Sequence, residues 1–392
     1  MTIQRLAFLT RSFWPIVGPV ESQIGLLAGE FLRGGHSVHL FTTQWEPDWS
    51  TELSYREVPV TRVPRASGGT WGVSRYARAL AKELVMECPD WDAVVVIGGP
   101  DELEGAIRAK EKGGPRQVVL RLDYRLKKNM QRGAGFRKKM AKLIPQADAV
   151  CLPQPGLAEY FFSSVKSPPK VLADVVDDES FRPTETAEKH LLRESIGELH
   201  PLLLLSKRSV LGVYNTDFDE DPSLTMLLEA WAKTVRKVPE ARLWLVGDGP
   251  QAASVWQMIN DLGISHSAVL VGNFDHGNDA NRAADFYIHP LANYDDQTAL
   301  LEAMASHLPV VFSECESTPG FLQNEQTGFG FEANSVSDCA RALSQMFDRE
   351  TPRELLGRNA GKAVPADHRL SRAVIRWQEF LESVNCPTRA KT

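Results

Sequence analysis

The stretch from residue 285 to residue 313 restricts the fold of this chain more than any other. An apolar strand pattern, Asp285–His289, is followed by a polar turn and then by a helix pattern. A second apolar strand pattern, Pro309–Ser313, closes the stretch, and the helix presents one apolar face formed by Leu300, Leu301, Met304 and Ala305. Strand, helix and strand in this order predict a βαβ unit, so we expect a parallel sheet covered by helices.

The turn before this helix ends at Gln297 and Thr298. The first N–H groups of a helix have no partner within the helix, and they favour anions. Open α/β sheets bind ligands beyond the carboxyl ends of their strands. We therefore expect an anionic ligand, such as a phosphate group, at this turn.

Composition and charge exclude several classes of protein. A length of 392 residues is enough for two domains with full-sized cores. A net charge of -6 and a pI near 5.9 argue against a nucleic-acid partner. No apolar run approaches the ~20 residues of a membrane span, and the N-terminus has a strand pattern rather than that of a signal peptide. The expected location is therefore cytoplasmic.

Five scattered cysteines show neither metal-ligand spacing nor a disulfide framework. Asp217, Asp219 and Asp221 have the first three spacings of a calcium loop. Pro222 replaces the required glycine, however, and Leu228 replaces the glutamate at position twelve. The sequence therefore predicts no protein-bound metal.

The segments Leu301-Glu302-Ala303-Met304-Ala305 and Pro309-Val310-Val311 resemble those of the retaining nucleotide-sugar glycosyltransferases of family 4. The resemblance implies the GT-B fold, an α/β class in which two Rossmann-like, doubly wound parallel-sheet domains face each other across a cleft. It implies an acceptor domain at residues 1–180 and a donor domain at residues 181–365. Residues 366–392 would form a helix that packs back on the first domain, and a polar connection from Asp177 to about His200 would join the domains.

The resemblance also implies an activity and a donor site. The chain would transfer a sugar from a nucleoside-diphosphate sugar to an acceptor hydroxyl, with retention and without a resident cofactor. Glu302 would bind the ribose diol, Gly247 would turn the chain toward the cleft, and Asn273 and Phe274 would hold the base. The N–H groups near Gln297 and Thr298, together with Gly18, would face the phosphates. Tyr294 occupies the position of the family's sugar-contacting Glu, and Asp295-Asp296-Gln297 occupy that of the following Gly-x-Gly; Asp295 is the candidate acid at the sugar.

Several positions that face the donor in the family differ here. Asp295 and Asp296 are good helix caps, and a capping carboxylate occupies the N–H groups that a diphosphate would use. The loop Asn215–Pro222 carries four acids where the family has cations that clamp the diphosphate. Three explanations stay open: a different donor geometry or a bridging divalent cation, which is not expected; a shifted alignment at Tyr294; or a non-catalytic homologue that acts as a binding or partner subunit.

Residues 121–142 contain nine Lys or Arg residues and one acid, Asp123. Arg121, at the exit of a strand, is a candidate catalytic cation that would bind a phosphate or carboxylate; the alternative is a salt bridge, with Asp123 as a partner. Arg125, Lys127 and Lys128 would bind a phosphorylated acceptor or an anionic membrane face, and the alternative is a solvated helix face. The expected partners are a nucleotide sugar and a sugar, lipid or small-molecule acceptor. Glycines 133 and 135 are expected to divide the segment into two helices.

Overall fold

The computed structural model describes residues 4–16, 18–64, 70–158, 168–199, 201–218, 222–272, 278–291, 294, 296–348 and 352–384. The chain divides into two compact units. Unit 1 comprises Met1–Val175 and Asp367–Thr392, and unit 2 comprises Val176–Ala366. Each unit has its own sheet and its own hydrophobic core.

The described part of unit 1 forms an eight-stranded sheet in the order β3-β4-β2-β1-β5-β6-β7-β8. Neighbouring strands are parallel except for β3, which pairs antiparallel with β4 at the edge. The carboxyl ends of the seven parallel strands therefore lie along one edge. The strands are β1 (Arg5–Thr10), β2 (Ser37–Gln44), β3 (Glu52–Tyr55), β4 (Val58–Pro64), β5 (Ala93–Ile97), β6 (Val118–Arg121), β7 (Ala149–Leu152) and β8 (Lys170–Val171).

Helices cover both faces of this sheet. Along β1, Leu6 and Phe8 belong to one cluster of buried residues, whereas Ala7 and Leu9 belong to the opposite cluster, as the two-residue period of a strand requires. The helices are α1 (Pro19–Arg33), α2 (Thr70–Glu87), α3 (Pro100–Lys110), α4 (Tyr124–Arg132), α5 (Ala134–Leu143) and, after unit 2, the last described helix (Leu370–Val384). This last helix buries Trp377 in the same cluster as α1.

Local chemistry explains where these helices begin and end. Pro19 opens α1, and Gly35, with φ of 85°, lies just beyond its end. The side chain of Asp123 accepts a hydrogen bond of 2.7 Å from the Leu126 N–H and so caps α4. Gly133 is extended and separates α4 from α5, which confirms the predicted break.

The described part of unit 2 forms a six-stranded parallel sheet in the order β11-β10-β9-β12-β13-β14. Its strands are β9 (Val210–Asn215), β10 (Ala241–Val246), β11 (Ala268–Gly272), β12 (Phe286–His289), β13 (Val310–Glu314) and β14 (Gly328–Glu332). Its helices are α6 (Thr186–Leu199), α7 (Pro222–Val235), α8 (Ala252–Asp261), α9 (Asp279–Ala283), α10 (Thr298–Ala305), α11 (Val336–Phe347) and α12 (Arg353–Ala363), so that the last helix of unit 1 is α13. Phe286 and Ile288 face one cluster, and Tyr287 faces the other.

The predicted fold class, two parallel-sheet α/β units, is confirmed, and so is the βαβ unit formed by β12, α10 and β13. The predicted polar connection between Asp177 and His200 is wrong for most of its length, because Thr186–Leu199 is the helix α6. Ile196 of α6 is buried in the core of unit 2, and Arg193 donates from its Nε to the Ala283 carbonyl at 2.8 Å.

Candidate functional site

The carboxyl edge of the unit 2 sheet carries the predicted donor site. Strands β9, β10 and β12 all run toward this edge, and α10 begins there after the turn that follows β12. Glu302 lies one turn into α10. The structure therefore brings Gly247, Asp296, Thr298 and Glu302 to one region of unit 2, as expected for ends of parallel strands.

Gly247 follows β10 and has φ of 132°, a conformation that L side chains rarely adopt. Its N–H donates to the Gly272 carbonyl at 3.0 Å, and the Thr216 N–H donates to the Val246 carbonyl at 2.9 Å. A Cβ atom at position 247 would overlap the Thr216 carbonyl oxygen. The glycine is therefore required by the close approach of two backbone segments, whether or not a ligand binds.

The amino end of α10 already holds a carboxylate. The Thr298 N–H donates to Oδ1 of Asp296 at 3.0 Å, and Thr298 is buried. Gln297 is the N-cap residue, and its side-chain Nε2 donates to the Tyr294 carbonyl at 3.2 Å rather than capping the helix. A donor phosphate that uses the Thr298 N–H would have to displace Asp296.

Glu302 is the most strongly perturbed carboxyl of this region. It is partly buried, and burial together with the nearby carboxylates of Asp296 and Asp177 raises its pKa to about 8. Glu302 is therefore largely protonated at neutral pH. Each of these causes raises the pKa of Glu302.

Replacing Glu302 by Gln is expected to remove a pH dependence of stability. The folded protein keeps the Glu302 proton up to about pH 8, whereas the unfolded chain loses it near 4.5. Because the folded state binds more protons in this window, wild-type stability should fall as pH rises from about 4.5 to 8. The two proteins should be equally stable near pH 4.5, and the variant should be the more stable at pH 9, by on the order of a few kcal/mol.

Denaturant unfolding between pH 5 and pH 9 measures this difference. The exposed Glu229 on α7 supplies the control, because Glu229→Gln should leave the wild-type pH profile unchanged. A constant difference in stability between wild type and Glu302→Gln across this range would contradict the raised pKa.

Tyr294, predicted to contact the donor, instead packs inside unit 2. Its side chain is 3% exposed, and its hydroxyl donates to the Ser313 carbonyl. Its ring stacks on His289 at a centroid distance of 4.6 Å. The position that holds a polar sugar-contacting residue in the resembled family is therefore occupied here by a residue that joins the turn to β13, which favours packing over donor binding.

Four predicted features lie partly or wholly outside the described residues. Asn273, Phe274 and Asp295 lie outside the described residues, so their roles stay predictions. Of the four acids in the loop after β9, only Asp217 is described, and it is exposed.

Gly18 lies at the N-cap of α1, in unit 1. The guanidinium of Arg125 binds the carboxylate of Glu21 in a bidentate ion pair, with N–O distances of 2.6 and 2.8 Å. A Cβ atom at Gly18 would overlap both of these side chains. Burial opposes the charge on Arg125, but the hydrogen bond to Glu21 outweighs it and raises the pKa of Arg125. The space beside Gly18 is thus filled by an ion pair that the sequence did not reveal.

Arg121 lies at the end of β6 with its side chain 5% exposed. It forms an ion pair with Asp174, and its Cζ lies 5.6 Å from the centroid of the Trp377 ring. The predicted partner Asp123 is wrong, because the Asp123 side chain caps α4. Arg121 therefore links the end of β6 to the segment after β8, through Asp174, and to α13, through Trp377.

The basic segment 121–142 is partly neutralised within unit 1. Beyond Arg121 and Arg125, Lys139 lies 2.9 Å from both Asp101 and Glu104. Lys127 and Lys128 are half-buried on α4 and also have interaction partners. Among the cations of this segment whose side chains are described, Arg137, Lys138 and Lys142 on α5 are exposed, so an anionic surface contact would use that helix.

Two features are absent among the described residues. Among those residues, no cluster of His, Cys, Asp or Glu side chains could hold a metal ion. None of their helices has the length and apolar character needed to cross a membrane.

Comparison with known proteins identifies the relatives of this chain. Residues 213–349, which lie within unit 2, match the family described as glycosyl transferases group 1. The chain is 29% identical over 214 residues to a sulfoquinovosyl transferase of Arabidopsis thaliana, a match that covers 53% of this chain and 39% of the relative. It is 22% identical to a GDP-mannose-dependent α-(1-6)-phosphatidylinositol monomannoside mannosyltransferase of Mycobacterium tuberculosis, over 97% of this chain and 98% of that protein.

The fold has solved counterparts. Anabaena HepE in complex with UDP and glucose superposes with a TM-score of 0.75 at 14% identity, over 97% of this chain and 100% of that chain. This likeness shows the GT-B fold. The chain spans less than half of the first relative's length, so the activity of that relative does not pass directly to this chain.

Proposed function

We propose that this chain transfers a hexose-type sugar from a nucleoside-diphosphate sugar to an acceptor hydroxyl, because residues 213–349 match the family described as glycosyl transferases group 1. We further propose that the configuration at the sugar is retained. In this reaction the bond between the sugar and the diphosphate breaks, and a bond to the acceptor oxygen forms. The proposal includes a cytoplasmic location and no resident cofactor.

The position and chemistry of Glu302 carry this proposal. A carboxyl with a pKa of about 8 at the carboxyl edge of a parallel sheet is the kind of perturbed group that marks a binding site. In the protonated state Glu302 both donates and accepts hydrogen bonds, so it can pair with each hydroxyl of a ribose diol. Its neutrality also removes a negative charge from the path of a diphosphate.

Two relatives support the choice of donor. The mycobacterial protein is named for its dependence on GDP-mannose, and the Anabaena structure contains UDP and glucose. Both names combine a nucleoside diphosphate with a hexose. In this chain the phosphates would lie at the N–H groups of Gln297 and Thr298, after Asp296 has moved away.

Thermal unfolding with UDP-, GDP- and ADP-hexoses, each with and without magnesium, tests the proposal. At a ligand concentration one hundred times Kd, binding stabilises the folded state by ~2.7 kcal/mol, which is a rise of several degrees in Tm. One donor class should raise Tm in the wild type. Glu302→Ala should abolish this rise, whereas the control Glu229→Ala should keep it.

The hydrogen bond from Thr298 to Asp296 favours a second candidate, a non-catalytic homologue that acts as a binding or partner subunit. In that case the whole donor site has been lost, and the carboxylate of Asp296 is only one of the changes in it. Neither wild type nor Asp296→Ala would then be stabilised by any nucleotide sugar. If Asp296→Ala gains binding that wild type lacks, the carboxylate is a barrier within an otherwise intact donor site.

A further inference from the structure

Arg11 lies just beyond β1, at the carboxyl edge of the unit 1 sheet. Its guanidinium Cζ lies 5.6 Å from the centroid of the Trp45 ring, and the Trp45 Nε1 donates to the Arg11 carbonyl at 3.2 Å. Trp45 itself lies just beyond β2, the strand next to β1. Backbone and side chain of Arg11 are therefore both held by one tryptophan, which limits the orientations that the guanidinium can take.

Among the described residues, Arg11 makes one ion pair, and that pair is long. The nearest carboxylate oxygen is Oε1 of Glu102, which lies 3.6 Å from Nη1, and this separation is too long for a hydrogen bond. Glu102 is fully buried; its Oε2 accepts a hydrogen bond of 2.8 Å from the Gly99 N–H, and its Oε1 has no hydrogen-bond partner. The neighbouring Asp101 is paired with Lys139 at 2.9 Å.

Burial raises the pKa of Glu102 despite the attraction of Arg11. The carboxyl of Glu102 is therefore harder to ionise than an exposed one. The Arg11 side chain is 44% exposed, and no described residue accepts a hydrogen bond from its guanidinium.

Arg62 lies at the same edge of the unit 1 sheet and, unlike Arg11, has a structural role. It is 4% exposed, and its Nη1 and Nη2 donate to the carbonyls of Ser50 and Trp14 at 2.9 and 2.7 Å. Both terminal nitrogens of Arg62 thus donate within the protein. Arg62 holds the loop that follows Arg11, in which the Trp14 ring is 47% exposed.

We infer that Arg11 recognises an oxyanion, a phosphate or carboxylate group, on the sugar acceptor, and that the exposed ring of Trp14 contacts the carbon skeleton beside it. The guanidinium presents a planar fork of N–H donors that fits such groups in a bidentate manner. This inference rests on the proposed function, with unit 1 as the acceptor unit. It moves acceptor recognition from Arg121 and Arg125, which are already paired with Asp174 and Glu21, to Arg11, whose guanidinium donates no hydrogen bond to a described residue.

Three probes share the same sugar ring and differ in whether they carry no anion, a phosphate or a carboxylate: D-glucose, D-glucose 6-phosphate and D-glucuronate. Calorimetric titration of the full chain should show that one anionic probe binds more tightly than glucose. Arg11→Gln should weaken that anionic probe ~10-fold or more, the effect of losing hydrogen bonds to a charged group, and should leave glucose unchanged. Arg11→Lys keeps the positive charge but lacks the planar fork of donors. Its affinity for the anionic probe should therefore lie between those of wild type and Arg11→Gln.

Arg33→Gln is the matched control. Arg33 lies at the carboxyl end of α1, is 60% exposed and pairs with Glu30, so its loss should change no affinity. The relative affinities of wild type for glucose 6-phosphate and for glucuronate decide which oxyanion is recognised. Equal binding of all three probes, or full anion binding by Arg11→Gln, would overturn the inference.

The donor titration keeps this test separate from the proposed function. If no nucleotide sugar binds but an Arg11-dependent anionic probe does, the transferase proposal fails and the anion site remains. If a nucleotide sugar binds in a Glu302-dependent manner but Arg11→Gln has no effect on anionic probes, the donor site stands and the acceptor inference fails.

Discussion

Replacing Asp285 by Ala is expected to destabilise the protein by about 3–5 kcal/mol, because it leaves buried cations without their counter-charge. Asp285 immediately precedes β12. Its Oδ2 accepts hydrogen bonds from Arg193 at 2.7 Å and from the Leu211 N–H at 2.8 Å, and Lys189 lies 3.4 Å from Oδ1. The Arg193 side chain is 9% exposed, so water does not replace the lost carboxylate.

The pH dependence of this loss has a defined sign. Burial opposes ionisation of Asp285, but Lys189 and Arg193 outweigh it, and the pKa of Asp285 is lowered from 3.8. A lowered pKa contributes stability above the unfolded-state value and loses it as pH falls through the folded-state value. The difference between wild type and Asp285→Ala should therefore be constant near neutral pH and shrink below about pH 4.

Urea unfolding at pH 7 and pH 3 measures both effects. Asp261→Ala, at the exposed end of α8, removes an acid from the surface of the same unit and should change stability by less than about 0.5 kcal/mol. Equal losses for Asp261→Ala and Asp285→Ala would show that the ion pairs around α6 contribute nothing.

Gly247→Ala is expected to cost about 3–5 kcal/mol, or to prevent unit 2 from folding. The backbone at φ of 132° disfavours any side chain, and the new Cβ would overlap the carbonyl oxygen of Thr216. That oxygen belongs to the backbone and cannot rotate away. Relief requires the exits of β9 and β10 to separate, which would also distort the predicted donor site.

Gly263→Ala provides the comparison, because Gly263 also has positive φ, 68°, but a Cβ there meets no atom within 4 Å. Gly263→Ala is expected to lower the free energy of unfolding by about 1 kcal/mol, which is the strain of the left-handed conformation alone. Thermal unfolding of both variants separates strain from overlap. Similar Tm values for the two would show that the Thr216 segment yields without penalty.

The sequence predicted strands and helices well where the pattern is local. The predicted strands Asp285–His289 and Pro309–Ser313 agree with β12 and β13 to within one residue at each end, because strands buried on both faces are continuous apolar runs. The strand β14 (Gly328–Glu332) begins at a glycine, a residue that local preference disfavours in a strand. Gly328 has φ of 155° and lies against the backbone of Val310, so its fitness for a strand depends on a neighbour in the sheet.

The candidate site was less predictable than the fold. Pattern and resemblance indicated Glu302 and the turn before α10, and both lie at the expected edge of unit 2. They did not indicate that Tyr294 would be buried or that Arg11 would stack on Trp45. Trp45 is 34 residues from Arg11 along the chain, and no local pattern connects them.

By itself the sequence determined the order of the elements, the parallel sheets and the need for glycine at a turn, because each depends on residues that are close along the chain. The tertiary structure alone decided which charges are paired. Arg121 meets Asp174 across 53 residues and Arg125 meets Glu21 across 104. The pKa of Glu302 was likewise decided by burial beside Asp177, which lies far away in sequence. Electrostatic energies depend on distance in space and on exclusion of water, and both are set only when the chain has packed.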